Sequence, residues 1–270
     1  MRFRPLVVAL AFAAFGRAAG ADLEEVPFVT TPEHVAVAML ELAKVKPEDF
    51  VMDLGSGDGR IIITAAKQFG ARGLGVEIDP QLVERSRRAA QAAGVSSRAL
   101  FREQDLFKTD LSPASVITLY LLPEVNMQLR PKLLHLRPGT RIVSHDWDMG
   151  DWPPDRTLTL DVPDKPLGRE KVSHVHLWIV PARIDGAWCG VGKARGTRLE
   201  ITQHFQKIEA QVGREAPVPF QGRVDGAIVR TNANLTFTYE TGQLKATYAA
   251  GKLKPLQGAV FRQPRTGNCR

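Results

Sequence analysis

Apolar and polar positions change rhythm twice along this chain. From Phe50 to Leu54 the residues form a short, almost unbroken apolar run, and the same texture returns at Gly73–Ile78, Ala99–Arg102, Ser115–Leu122 and Arg141–Ser144. Such runs predict strands buried on both faces, as in a parallel sheet. Between them, apolar residues recur at helical spacing. Ile61–Gly70 predicts one helix, Pro80–Gly94 a second and Asn126–His135 a third. Asp79 with Pro80 is a helix start, and Gly94 a helix stop. This alternation predicts an α/β unit with a Rossmann-like sheet and helices on both faces. Thr157–Val162 and Val175–Val180 predict its antiparallel edge pair, and too few residues separate the fifth strand from Arg156 for a full crossover helix.

From Ala182 onward the period falls to two. Leu199–Gln203, Leu235–Tyr239 and Leu244–Tyr248 alternate cleanly, with glycines at 222, 226, 242, 251 and 258 between or within them. This texture predicts a small all-β domain, sandwich or barrel, over residues 182–270, after an α/β domain over 22–181.

The N-terminal residues 1–21 read as a signal peptide or anchor. Arg2 and Arg4 precede an apolar stretch from Leu6 to Phe15, and Ala19-Gly20-Ala21 has the small-residue form of a cleavage site. The expectation is export or membrane association, periplasmic in a Gram-negative cell, and cytoplasmic if the segment is not a signal. Next, Thr30 and Glu33 have capping-box spacing before a helix that repeats Val35, Met39 and Leu42 on one face.

Chemistry concentrates at the strand ends. Asp53-Leu54-Gly55-Ser56-Gly57-Asp58-Gly59 forms a glycine turn between strand and helix, where the backbone turns sharply and a ligand can approach helix N–H groups. Asp53 and Asp58 would repel a diphosphate, so the turn suits a ligand with positive charge. Glu77 ends the next strand, placed to accept ribose hydroxyls, and Asp105-Leu106 follows the third, placed to accept an adenine amino group. Three successive acidic strand ends face one crevice in such a sheet, which predicts a nucleoside site. A second cluster, His145-Asp146-Trp147-Asp148-Met149-Gly150-Asp151-Trp152, follows the fifth strand. It reads either as an aromatic, acidic mouth for a cationic substrate or as a loop with packed Trp and capping Asp. His145, Asp146 and Tyr120 are the candidate catalytic residues. A His-Asp pair is of metal-ligand type, but no further ligands fall at a recognisable spacing, so no metal is expected.

The glycine turn, Glu77 and Asp105 resemble the first, second and third motifs of class I S-adenosylmethionine-dependent methyltransferases. Leu119–Asn126, Leu129-Arg130-Pro131, Arg137–Arg141 and Val143–Asp146 more narrowly resemble the protein-lysine methyltransferases of the ATP synthase c subunit and their bacterial relatives. The resemblance spans about residues 26–180. It implies S-adenosylmethionine as cofactor, held by Thr30, Asp53, Gly55, Ser56, Gly57, Gly59, Glu77, Asp105 and Leu106, and a protein lysine as methyl acceptor. Thr30 or Thr31 would lie over the cofactor's carboxylate. A small-molecule methyltransferase, or an exported nucleoside-binding relative without turnover, are the alternatives. Tyr120-Leu121-Leu122-Pro123 stands where amino-group methyltransferases of DNA carry Asp/Asn-Pro-Pro-aromatic, which argues against a nucleobase acceptor.

Net charge of the whole chain is +7. Residues 22–165 carry −5 and residues 166–270 carry +9. The basic β segment reads either as a surface for an anionic partner or as one that docks on the acidic α/β unit. Aromatics are not interleaved with its charges, so nucleic acid is not expected. Cys189 and Cys269 can pair outside the cytosol.

Overall fold

The computed structural model describes residues 29–165, 171–264 and 269; the N-terminal segment 1–21 lies outside them. Seven strands form one sheet in the order β3-β2-β1-β4-β5-β7-β6. They are β1 (Phe50–Leu54), β2 (Arg72–Glu77), β3 (Ala99–Glu103), β4 (Val116–Leu119), β5 (Arg141–His145), β6 (Arg156–Asp161) and β7 (Val172–Ile179). The first five are parallel, and β7 inserts antiparallel between β5 and β6. The strand order reverses where β1 meets β4, which opens a crevice at the carboxyl ends of those strands.

Two apolar layers flank the sheet because successive strand residues point to opposite faces. Val51, Val116 and Val143 pack with Val35, Met39, Ile62 and Val83 of helices α1 (Glu33–Leu42), α2 (Arg60–Gln68) and α3 (Pro80–Ala92). Their chain neighbours Met52, Ile117 and Ile142 pack on the other face with Leu129 and Leu133 of α4 (Pro123–Leu133). β4 is shorter than the apolar run suggests. Pro123 starts α4 in its first turn, leaving Tyr120 to Leu122 as an irregular link at the crevice. The expected capping box is absent. Pro32 is the N-cap of α1 without a side-chain cap bond, so Thr30 lies before the cap and Glu33 is already the first helical residue, out of register for the box.

Eight strands close a second sheet on itself. They are β8 (Gly186–Val191), β9 (Arg198–His204), β10 (Lys207–Gly213), β11 (Val218–Asp225), β12 (Ile228–Thr231), β13 (Leu235–Glu240), β14 (Gln243–Ala249) and β15 (Val260–Arg262). Each pairs antiparallel with the next, and β15 returns to β8. Inward residues such as Trp188, Leu199, Val229, Phe237 and Phe261 fill the barrel. A disulfide joins Cys189 on β8 to Cys269.

Sheet and barrel meet at a definite seam. Trp152 is fully buried there, donating its indole N–H to Gln206 at 2.9 Å and stacking on Phe205. Arg223 pairs with Asp155, whose other oxygen accepts from Gln206 at 2.9 Å. Ala182 N donates to the Gly226 carbonyl at 2.7 Å. All of these sheet partners lie toward the end opposite the crevice. Only one of the barrel's cations, Arg223, joins an ion pair across the seam among the described residues, so docking on the acidic unit does not account for the basic β segment.

Candidate functional site

The site is built on the turn after β1. Gly55, Gly57 and Gly59 all hold positive φ, and at Gly59 a Cβ would come within 2.6 Å of the Phe101 ring. That position therefore requires glycine twice over, for backbone conformation and for space. Asp53 ends β1 in the interior and accepts the Thr118 hydroxyl at 2.7 Å. Burial pushes its carboxyl up to about 7, the Thr118 bond opposes this, and the Glu77 and Asp58 charges add to it. A positively charged ligand group beside Asp53 would reverse this shift.

Asp58 does not share that role. Although burial works against its charge, Arg60 at 2.5 Å holds the carboxyl below the usual range. The Arg60 guanidinium also donates to the Thr31 carbonyl at 2.8 Å. Only Asp53 of the two turn acids is left to meet a cation. The signal was present in the sequence as an arginine two residues after Asp58.

Glu77 is pinned by the backbone. It accepts from Gly57 N at 2.9 Å, Ile78 N at 2.7 Å and Asp79 N at 3.1 Å, which fixes its carboxylate at the mouth of the turn. Next to it Ile78 is 68% exposed, a large apolar side chain standing at the rim of a crevice. Ile78 was missed in the sequence, where it passes for the last residue of an apolar run. Asp105 caps the turn that follows β3 by accepting from Phe107 N at 2.8 Å, with Leu106 beside it and Phe107 exposed. Ser56 Oγ is buried with no hydrogen-bond partner among the described residues. A buried hydroxyl without a partner is costly, so it marks a place for a polar ligand atom. An acid near the crevice floor, a pinned acid at its mouth, apolar side chains at the rim and an orphaned hydroxyl together fit a cationic nucleoside such as S-adenosylmethionine.

The second cluster divides. His145, at the end of β5, is buried with both ring nitrogens engaged, Nδ1 with the Thr31 hydroxyl at 3.1 Å and Nε2 with the Ser173 hydroxyl at 2.9 Å. Burial lowers its pKa to about 4 against the pull of Asp146, so the ring is neutral. Tyr120 stacks on it with centroids 3.9 Å apart, and burial together with Asp146 pushes the phenol up to about 12. Asp146 holds positive φ of 61°, accepts from His174 N at 3.0 Å and pairs with Lys165 at 2.8 Å. Trp147 is exposed beside them, whereas Trp152 belongs to the seam with the barrel. Asp148 accepts from Gly150 N and Asp151 pairs with Arg130. Of the predicted aromatic, acidic mouth, His145 and Asp146 come together with Tyr120, which lies outside that run, Trp147 stays exposed in the same loop, and Trp152, Asp148 and Asp151 pack, cap or pair. Among the described residues no group of three or more His, Cys, Asp or Glu is arranged to hold a metal ion.

Comparison with known proteins agrees with this geometry. Residues 53–156 match the ANTKMT methyltransferase domain. A protein-lysine N-methyltransferase of Saccharolobus islandicus is 45% identical over 138 residues, covering 50% of this chain and 86% of that one. The mouse adenine nucleotide translocase lysine N-methyltransferase is 36% identical over 132 residues, covering 48% of this chain and 57% of the mouse protein. Among solved structures, a chain described as an RNA methyltransferase from Salinibacter ruber, in complex with S-adenosylhomocysteine, is 52% identical. It superposes with a TM-score of 0.52, covering 58% of this chain and 96% of that one. The barrel lies beyond the matched domain. The chain belongs to the same family as the Saccharolobus protein-lysine N-methyltransferase, with an ANTKMT methyltransferase domain over residues 53–156, and is an S-adenosylmethionine-dependent methyltransferase.

Proposed function

We propose that this enzyme transfers methyl groups to a lysine side chain of a polypeptide. The observation that carries the reading is the mouth beside the glycine turn, where the Tyr120 ring lies on a neutral His145 with the Asp146 carboxylate and the exposed Trp147 next to it. A lysine presents an aliphatic stem and a cationic head, and these suit aromatic surface and carboxylate respectively. The names of the Saccharolobus and mouse relatives support lysine. The Salinibacter description names RNA, but the end of β4 here offers Leu121, Leu122 and Pro123, with no amide or carboxylate to orient a nucleobase amine.

S-adenosylmethionine supplies a sulfonium methyl group. In this reading Asp53 faces its ammonium, Glu77 the ribose hydroxyls, Asp105 and Leu106 the adenine, Ser56 and Thr30 its polar periphery, and Gly55, Gly57 and Gly59 give it room. An acceptor lysine must shed a proton, at a cost of roughly 4–5 kcal/mol from its usual pKa to neutrality. Desolvation against Tyr120 and Trp147 reduces that cost. Asp146 would receive the ammonium in exchange for Lys165 and pass its proton to solvent, the neutral amine would take the methyl as the sulfonium S–C bond breaks and S-adenosylhomocysteine leaves, and His145 positions Tyr120 and Thr31 and takes no proton.

The reading includes a compartment outside the cytosol, supported by the basic-apolar-small pattern of residues 1–21 and by the Cys189–Cys269 disulfide. Incubation of the protein with trideuteromethyl-labelled S-adenosylmethionine and a cell-envelope extract, followed by hydrolysis, should place the label in methyl-lysine. Label in nucleosides or small metabolites would refute the lysine assignment. Cell fractionation with thiol alkylation tests the compartment, and an intact cytosolic protein with two free thiols would refute it.

A further inference from the structure

The barrel is an up-and-down closure, so its loops fall alternately at two ends. One end carries the turns at 205–206, 226–227 and 241–242, and it is the end that meets the sheet through Phe205, Gln206 and Gly226. The opposite rim consists of residues 192–197, 214–217, 232–234 and 250–259. This rim holds Lys193, Arg195, Arg214, Lys252 and Lys254 against one acid, Glu215, and all five cations are exposed. None of the five joins an ion pair among the described residues.

The loops are tied into one surface. Arg214 donates to the Arg195 carbonyl at 2.8 Å, and Lys193 donates to the Gln257 carbonyl. Buried Ala194, Leu253 and Ala259 seat the loops on the barrel core. Packed apolar residues thus hold five like charges at one end of a filled barrel, with no ladder of aromatics for bases at that rim among the described residues. Self-repulsion of such a cluster is offset when it meets a surface of opposite charge. Exposed Tyr248, at the end of β14, stands at the same rim, as an aromatic does at a lipid–water boundary.

We propose that this rim docks the protein on an anionic lipid surface. The barrel meets the sheet near Gly139, Asp155 and Ile179, at the end of the sheet opposite the carboxyl ends of β1, β4 and β5. Docking by the far rim therefore turns the methyl-transfer mouth away from the lipid, toward polypeptides in the aqueous phase. The proposal does not depend on which acceptor is methylated.

Flotation of the full chain with phosphatidylcholine vesicles, with and without about one-third phosphatidylglycerol, tests it. Residues 1–21 carry Arg2, Arg4 and Arg17 and can themselves favour anionic lipid, so the rim's share is read as the difference between wild type and rim variant on the same vesicles. The expected result is at least about a tenfold preference for anionic vesicles at low salt, lost at about 0.5 M salt. The variant Lys193→Glu/Arg195→Glu/Lys252→Glu/Lys254→Glu should reduce the preference below about twofold. The exposed control Lys67→Glu/Arg72→Glu should keep it, and both variants should keep their S-adenosylhomocysteine affinity. Equal binding to both vesicles, or an anionic preference that survives the rim reversals in a protein that still binds S-adenosylhomocysteine, would overturn the proposal. So would capture by soluble poly-glutamate without vesicle binding, which would point to an acidic polypeptide partner instead.

Discussion

The sheet's crevice and the barrel's interior solve opposite problems. In the barrel, alternate residues of every strand point inward, and the buried Trp188 indole donates to the Ile184 carbonyl at 2.8 Å. Along the crevice, Ser56 Oγ is buried without a partner, Asp53 carries a carboxyl that burial drives toward neutrality, Ile78 stands exposed, and Asp146 occupies a backbone conformation that favours glycine. The orphaned hydroxyl and the buried carboxyl cost stability with no counterpart in the barrel interior among the described residues, whereas exposed apolar side chains and left-handed non-glycine residues occur in both halves, as at Tyr248 and Phe205. The difference identifies which half is shaped for a ligand and which for packing, independently of any motif.

The seam is where that contrast can be broken most severely. Trp152→Ala removes a fully buried indole from both halves, and an unfolding midpoint in denaturant should fall by the equivalent of about 3–5 kcal/mol. A single transition before and two transitions after the substitution would mean that the seam couples two separable domains. We expect this, and we expect residues 182–270 alone to melt cooperatively.

Next in size is Glu77→Ala, which strips the acceptor from three backbone N–H groups and from the proposed ribose contact. Calorimetric titration should show S-adenosylhomocysteine binding weakened about 100-fold, as loss of charge-assisted hydrogen bonds implies. Glu209→Ala on the barrel should leave the affinity unchanged.

The crevice should also be visible in pH. Asp53 has a folded pKa of about 7, above its ordinary 3.8, so the folded state binds more protons than the unfolded state between those values. Its contribution to stability is therefore lost as pH rises from about 4 to 7. His145 acts in the opposite sense. With a folded pKa of about 4, below its ordinary 6.5, it takes stability away as pH falls through that window. The two slopes offset each other in the wild type below pH 6.5. Asp53→Asn should expose the His145 slope as a melting temperature that falls toward pH 4, and should flatten the part between pH 6.5 and 7. A wild-type-like profile in Asp53→Asn would show that the carboxyl titrates normally.

The smallest effect is expected from Thr31→Val, which keeps shape and removes the hydroxyl that meets His145. Turnover should fall about tenfold, the scale of one buried polar group left unpaired, with cofactor affinity changed less than about twofold. Thr31→Ser should restore turnover.

Much of the sheet was legible because its signals are local. Runs of apolar residues, glycines two residues apart and acids at strand ends all lie within short windows, and the β period after Ala182 announced a second fold. Barrel closure was not legible, since it rests on β15 pairing with β8, far apart in sequence and only three residues long on one side. The same reason hid the roles of individual site residues. In the sequence His145 is either a proton acceptor or a hydrogen-bonded structural histidine until Thr31, 114 residues earlier, is found on its ring, and Trp152 either lines a mouth or packs until Gln206, 54 residues later, is found on its indole.

The central claim is that ligand chemistry belongs to the crevice and the barrel stands apart from it. Hydrogen–deuterium exchange of the full chain with and without S-adenosylhomocysteine tests this most directly. The account predicts slowed exchange in residues 53–59, 77–79 and 105–107, and none in the barrel strands β8–β15. Protection within the barrel, or an unchanged glycine turn at saturating ligand, would contradict it.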